Sequence, residues 1–468
     1  MWSITGGPRQ LKKLVTLSNS ASQTRRSITL SGDWPFAPRR APFFYGWVIW
    51  LISTIGFLMS VPGQTMGMAV FTDPFIAAFG LTRTQLSVAY FFGTVGSALF
   101  LTRAGRLYDR VGARTMVVGA SLLLAVMLLF ICLIDLLAGA AANLAGIALG
   151  VVAFPLVMFG YFGVRFAGQG VLTSAARNAL MPWFERRRGL VSGARGVFVS
   201  LGFSLAPLPL AAMITGFGWR GALLALALML LVFALVALLL LRDSPESCGL
   251  RADGDAVDGD ADGDASAAGI ETPSATLLEA RRSPVFWVYS LGMAVWALFG
   301  TAVTYHIVSI FTEAGRDASA AFAYFFPNSL VAVSVTLLSS WLADRSRLKP
   351  FLLAMILAFI CGTWGLMNLE SEWGYWLMVV GFGSGGGLWG MLSNLAFVRH
   401  FGLLHLGEIS GLNTSVTVFA SAIGPLLFSL GKDLGGSYDV AALICVSGLV
   451  VLLIAAALVK DRSPPPRT

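Results

Sequence analysis

Residues 105–114 read GRLYDRVGAR, four charges set between two apolar runs. Some twenty mostly apolar residues precede them, and TMVVGASLLLAVMLLFICLI follows at 115–134. A short charged stretch in that setting reads as a surface connection between two membrane spans, each needing about 20 apolar residues. The composition agrees. Only 12% of the 468 residues are charged, 56% are hydrophobic, and the mean hydropathy is +0.78. A soluble domain carries about 25% charged residues, so this chain has too few to cover a water-facing surface.

Twelve such runs are legible: 44–68, 84–104, 114–136, 152–181, 190–214 and 219–241, then 285–311, 319–342, 350–369, 374–398, 408–430 and 438–459. Lysine and arginine collect on the cytoplasmic side of short loops. Of the 32 here, Arg83, Arg220, Arg316 and Lys432 fall on the opposite side and Arg165 falls within a span. A miscounted helix would scramble that split. The reading is an all-α polytopic membrane protein, twelve transmembrane helices in two pseudo-symmetric six-helix bundles, with both termini cytoplasmic. The stretch 137–156 is surplus to the count and is read as long helices with a short external or re-entrant piece.

The domains follow. Residues 1–42 form a basic cytoplasmic tail without a signal peptide, 43–241 the first bundle, 242–284 an Asp/Gly-rich linker, 285–460 the second bundle, and 461–468 a tail. In the linker, Asp258, Asp260, Asp262 and Gly263 match the first half of a calcium loop, but Gly269 stands where the twelfth-position glutamate is needed. A solvated acidic linker is the better reading. Cys132, Cys248, Cys361 and Cys445 match no metal spacing. The run GFGSGG at 381–386 resembles a dinucleotide fingerprint, but it lies inside a span, where small residues allow close helix packing. No metal, cofactor, nucleic-acid partner or enzymatic constellation is expected.

The halves echo each other. Leu107, Asp109 and Arg110 follow the second span as Leu342, Asp344 and Arg345 follow the eighth. Ser192-Gly193 precedes Pro207 as Ser410-Gly411 precedes Pro425, and Asn178 has a counterpart in Asn394. Gly105, Leu107, Asp109, Arg110, Gly112 and Arg114 resemble the signature loop of the major facilitator superfamily; Ser340 and Arg347 replace glycines in the second copy. The resemblance implies alternating access in the inner membrane by a monomer, with this loop latching the bundles. A carboxylate at Asp109 would suit the positive N-terminal end of a neighbouring helix. The stretches RFAGQG, NALMPWFERRRGLVSGARG, GWRGALL, FTEAG and SAIGP resemble bacterial monocarboxylate and oxalate–formate porters. That would imply a small carboxylate substrate, although the eighth span lacks the charge common there.

Candidate substrate residues are the polar ones in the spans. Arg165 is costly in a bilayer and is the first candidate, with Gln169 one turn on. Its guanidinium fork suits a carboxylate; tying helices together through backbone carbonyls is the alternative. His306, beside Tyr305, could carry a proton. Gln64 follows a helix break at VPG, and Asn328 follows Pro327; breaks in cavity-lining helices expose polar groups. The expected function is secondary transport of a small organic anion, with protons or by exchange. A proton-coupled exporter of drugs or metabolites is the alternative.

Overall fold

The computed structural model describes residues 31–254 and 274–460. Its helices are apolar around most of their circumference, and each bonds its own backbone groups, as lipid demands. Helix α1 spans Gly46–Leu58 and breaks at Val61–Gly63 before a short turn, Thr65–Ala69. The run Arg83–Ala145 contains α2 and α3, parted at Gly112. Helix α4 is Leu149–Val164, continued through Arg165–Leu172 to Thr173–Ala179. Helix α5 starts at Arg188–Leu205 and continues within Pro207–Leu240, where Gly218 parts it from α6. The second half holds α7 (Pro284–Glu313), α8 (Phe325–Ala343), α9 (Lys349–Met367), α10 (Glu372–Phe401), α11 (Leu406–Gly435) and α12 (Asp439–Leu458).

One expectation is corrected and one is narrowed. The 105–114 stretch is not an open loop: α2 continues through it, and the chain turns at Gly112 alone, with φ +82° and ψ 170°. That left-handed value suits glycine, and a Cβ there would lie 2.5 Å from an Asp243 oxygen. The surplus 137–156 forms long helices with a short connecting piece at 146–148, the first of the two expected forms rather than a re-entrant one. It is absorbed by α3, which runs to Ala145, and by α4, which starts at Leu149 after a left-handed cap at Gly146. Long helices were expected there, and long helices are found.

The ends of the linker pack against the bundles rather than lying free in solvent. Asp253 accepts from the backbone N–H groups of Glu185 and Arg186, at 2.9 and 2.7 Å. Ala275 donates to the Phe401 carbonyl, and Thr276 opens the helix Leu277–Arg282 with a capping box. Asp258, Asp260, Asp262 and Gly263 lie outside the described residues, as does most of the basic tail.

The bundles meet along two pairings, α2 with α11 and α5 with α8. The hydrogen bonds that join them, among the described residues, cluster toward the side bearing the 105–114 stretch, here called the signature side. They include Thr102–Ser415, Ser174–Thr414 and Asn178–Ser410.

Candidate functional site

The first constellation forms where α1 breaks. Arg165 opens a π-helical turn in α4, Arg165–Leu172, a geometry that frees backbone groups and recurs at functional sites. The guanidinium is 1% exposed. Its Nη1 donates to the Gly63 carbonyl at 3.1 Å and to Thr65 Oγ1 at 3.3 Å. Its Cζ lies 5.1 Å from the Tyr90 ring centroid, and the Tyr90 hydroxyl bonds Thr65 at 2.8 Å. Gln64 Nε2 donates to Ser60 Oγ and Thr173 Oγ1, closing the same gap from α1 to α4. So Nη1 does tie the helices together. The other edge of the fork, Nε and Nη2, is buried without a partner, as is Gln169 Oε1.

Tyr305, His306 and Asn328 do not join this group. His306 Nε2 lies 3.0 Å from the Pro425 carbonyl and 3.3 Å from Ser429 Oγ, while Nδ1 faces the Tyr438 hydroxyl at 3.3 Å. These contacts link α7, α11 and the start of α12 within the second bundle. Asn328 donates to the Tyr324 hydroxyl and the Val379 carbonyl, also within that bundle. Tyr305 is 63% exposed. Of the six substrate candidates, the structure gathers Arg165, Gln169 and Gln64 and sets the other three apart.

The signature carboxylates join the two bundles. Asp109 accepts from the backbone N–H groups of Gly407 and Glu408, both at 2.8 Å, so it caps the N-terminus of α11 across the bundle interface. Asp344 does the same for α5, accepting from Gly189 at 2.8 Å and Leu190 at 3.1 Å. A carboxylate at a helix N-terminus meets the positive end of the macrodipole and otherwise unbonded N–H groups, worth ~0.3–1 kcal/mol and up to ~2 when partly buried. Burial pushes the Asp344 carboxyl above its ordinary value, although the two N–H groups and Arg399 pull it back. Gly105 lets the backbones touch: a Cβ there would lie 2.0 Å from the Gly407 carbonyl oxygen.

The remaining signature residues divide. Arg110 is exposed, Leu107 faces outward, and Arg345 stacks on Trp341 of its own bundle at 4.4 Å. Arg114 turns away from the gate. It is buried and donates to the carbonyls of Leu238 and Trp34, and its backbone N–H bonds Asp243 at 2.8 Å. Arg242 holds the same segment through the Gly32 and Phe36 carbonyls. Two arginines thus bind the chain at 31–36 against the ends of α3 and α6.

Sequence reasoning missed Arg195. Close behind the ERRRG cluster it reads as one more loop-side charge, yet it lies inside α5, seven residues beyond Arg188 and so about 10 Å into the helix. It is 2% exposed, donates through Nη2 to Asn394 Oδ1 of α10, and lies 5.7 Å from the Phe57 ring of α1. Arg177 of α4 is 8% exposed, and its carbonyl accepts from Arg195 Nη1. The distance from the helix end was the signal that could have found them. The glycines of 381–386 pack against α8 and α9, with Gly381 touching Gly362 and Gly383 touching the Asn328 carbonyl.

Comparison with known proteins fits this architecture. The family model described as Major Facilitator Superfamily matches residues 53–425. A 2-nitroimidazole transporter of Escherichia coli (strain K12) is 25% identical over 413 residues, 85% of this chain and 91% of its own. An uncharacterized 38 kDa protein in the 23S RNA operon of Thermoproteus tenax is 27% identical over 315 residues, 67% of this chain and 74% of its own. Among solved structures, the proton:xylose symporter XylE matches with TM-score 0.64 at 13% identity, over 90% of this chain and 97% of that one. The E. coli fucose:proton symporter FucP matches with TM-score 0.60 at 16% identity, over 89% and 100%. These two likenesses carry the fold. Neither sequence relative is named as a carboxylate porter, so the match supports the superfamily and not the porter subgroup.

Proposed function

The chain belongs to the major facilitator superfamily and is a secondary transporter; we propose that its substrate is a small organic anion of the monocarboxylate kind, moved with protons or by exchange. The observation that carries this reading is the unpartnered Nε–Nη2 edge of Arg165. That edge presents two parallel N–H donors, the geometry that a planar two-oxygen group accepts. Left unmade, bonds from a buried charge cost ~1–3 kcal/mol or more, so a ligand that completes them is held strongly. Gln169 stands on the same turn, and Gln64 fixes the broken α1 against it. The signature side is proposed to be cytoplasmic, in line with the lysine and arginine distribution, in an inner membrane. The two bundles then rock about the centre, and the Asp109 and Asp344 caps close the cytoplasmic end in one state of the cycle. His306 is held by neighbours in the second bundle and is proposed as the proton-carrying candidate only.

The test is uptake by proteoliposomes of a carboxylate panel, with and without a pH gradient. At least one carboxylate should enter, driven by the gradient or by counterflow. Arg165→Lys keeps the charge and loses the fork, and affinity should drop about tenfold; Arg165→Gln should abolish binding. A monodisperse Arg165→Gln variant with wild-type affinity would remove Arg165 from the site. The second reading, a proton-coupled exporter, draws support from the relative named as a 2-nitroimidazole transporter. A nitro group has the same planar two-oxygen shape as a carboxylate without the net charge. Extrusion of 2-nitroimidazole against a proton gradient, with no uptake of any carboxylate, would favour it.

A further inference from the structure

The second arginine pair breaks the pseudo-symmetry of the gate, and the break has a chemical meaning. Ser192 and Ser410 are equivalent positions in the two halves, as are Asn178 and Asn394. In one half, Asn178 donates to Ser410 Oγ at 2.7 Å. The mirrored bond, Asn394 to Ser192, is not made. The Asn394 amide N–H donates instead to the Gly390 carbonyl of its own helix at 2.6 Å, its Oδ1 accepts from Arg195, and Ser192 Oγ is left buried without a partner. The position equivalent to Arg195 in the second half is Asn413, which is neutral.

So a guanidinium stands in one half where an amide stands in the other. Arg195 is 2% exposed and Arg177 is 8% exposed. Among the described residues no carboxylate pairs with either, and the Arg177 side chain makes no hydrogen bond. Two neighbouring cations buried in apolar helices without a counter-ion are strongly unfavourable. Arg195 bonds only neutral oxygens, Asn394 Oδ1 through Nη2 and the Arg177 carbonyl through Nη1, and neither supplies a counter-charge. Arg165 lies about 21 Å from the signature-side end of α4, and Arg195 about 10 Å from that end of α5, by helix rise. The two arginines therefore mark different depths, with Arg195 in the layer where α5 meets α10 and the bundles are bonded.

We propose that Arg195, supported by Arg177, is a second anion-binding station, and that the transported carboxylate serves there as the missing counter-ion, displacing the Asn394 oxygen. This rests on the organic-anion reading above. The substrate would then be passed between two guanidinium stations on its way across.

The experiment measures binding to full-length detergent-solubilised protein by thermal stabilisation, with benzoate, formate and oxalate as probes and benzamide as the neutral control. Wild type should be stabilised by at least one anion and not by benzamide. Arg195→Lys should retain binding with affinity weakened about tenfold, and Arg195→Gln should weaken it about a hundredfold, as loss of a charge-assisted pair predicts. Asn394→Asp supplies Arg195 with a permanent carboxylate and should suppress binding with the fold intact. Asn394→Ala removes the competing oxygen and should leave binding equal to or tighter than wild type. Asn394→Asp keeps the proposal testable if Arg195→Gln fails to fold. Wild-type anion affinity in folded Arg195→Gln or in Asn394→Asp would overturn the station while leaving the Arg165 reading standing. A wild-type protein stabilised by none of the anions would overturn both.

Discussion

The two halves close the signature side with the same device built from different parts. In the first half Asp109 caps α11; in the second Asp344 caps α5. Each cap depends on a glycine in the target helix. A Cβ on Gly407 would lie 2.6 Å from an Asp109 oxygen, and one on Gly189 would lie 2.5 Å from an Asp344 oxygen. Beyond that the halves diverge. Across the first interface, Arg106 pairs with Glu408 at 2.5 Å. The equivalents in the second half are Trp341 and Leu190, which cannot pair. Asp344 shares its charge with Arg399 of its own bundle at 3.4 Å. Ser340 occupies the place of Gly105, and the room is made on the other side by Gly193. The two interfaces share a carboxylate at a bare helix N-terminus and a glycine where the backbones approach; the flanking charges differ.

This contrast can be broken at its strongest point first. Gly105→Val places a side chain against the Gly407 carbonyl, and the closed gate becomes sterically impossible. Transport should fall by a hundredfold or more, as overpacking at a backbone contact predicts, while Ser340→Gly should be tolerated. Initial uptake rates at matched expression would decide. Near-normal uptake by Gly105→Val would show that the backbones need not touch during the cycle.

Charge removal comes next. Asp109→Asn keeps the shape and loses the favourable charge at the α11 N-terminus, which should shift the closed-to-open ratio about tenfold. Asp344→Asn should do less, because Arg399 already offsets part of its charge. Equal effects would mean that Arg399 contributes nothing to the second gate. The Arg106–Glu408 pair is partly exposed on the arginine side, and Glu408→Gln should change rates less than about threefold.

The twelve spans and the internal echo could be read in the sequence because apolar runs and positive loops are local signals. The carboxylates of the gate could be read as well, since Asp109 and Asp344 sit at fixed places in a short motif. Which backbone groups they would cap could not, because Gly407 and Gly189 are hundreds of residues away in one case and across the bundle interface in both. The division among Arg165, His306 and Asn328 was hidden for the same reason: a polar residue in a span looks alike whether it faces a neighbour in its own bundle or the centre. Arg195 was masked by its closeness to the ERRRG cluster at 185–189, which made it look like one more topology signal.

Two helix caps join the bundles at the signature side, and in the proposed cycle they hold it shut. The most direct test is a distance distribution between spin labels at two exposed signature-side positions on opposite bundles, residues 110 and 404. Cys132, Cys248, Cys361 and Cys445 would first be replaced. The otherwise unaltered protein should show a dominant short-distance population, and Asp109→Asn combined with Asp344→Asn should shift it toward longer distances. A distribution unchanged by the double substitution would contradict it.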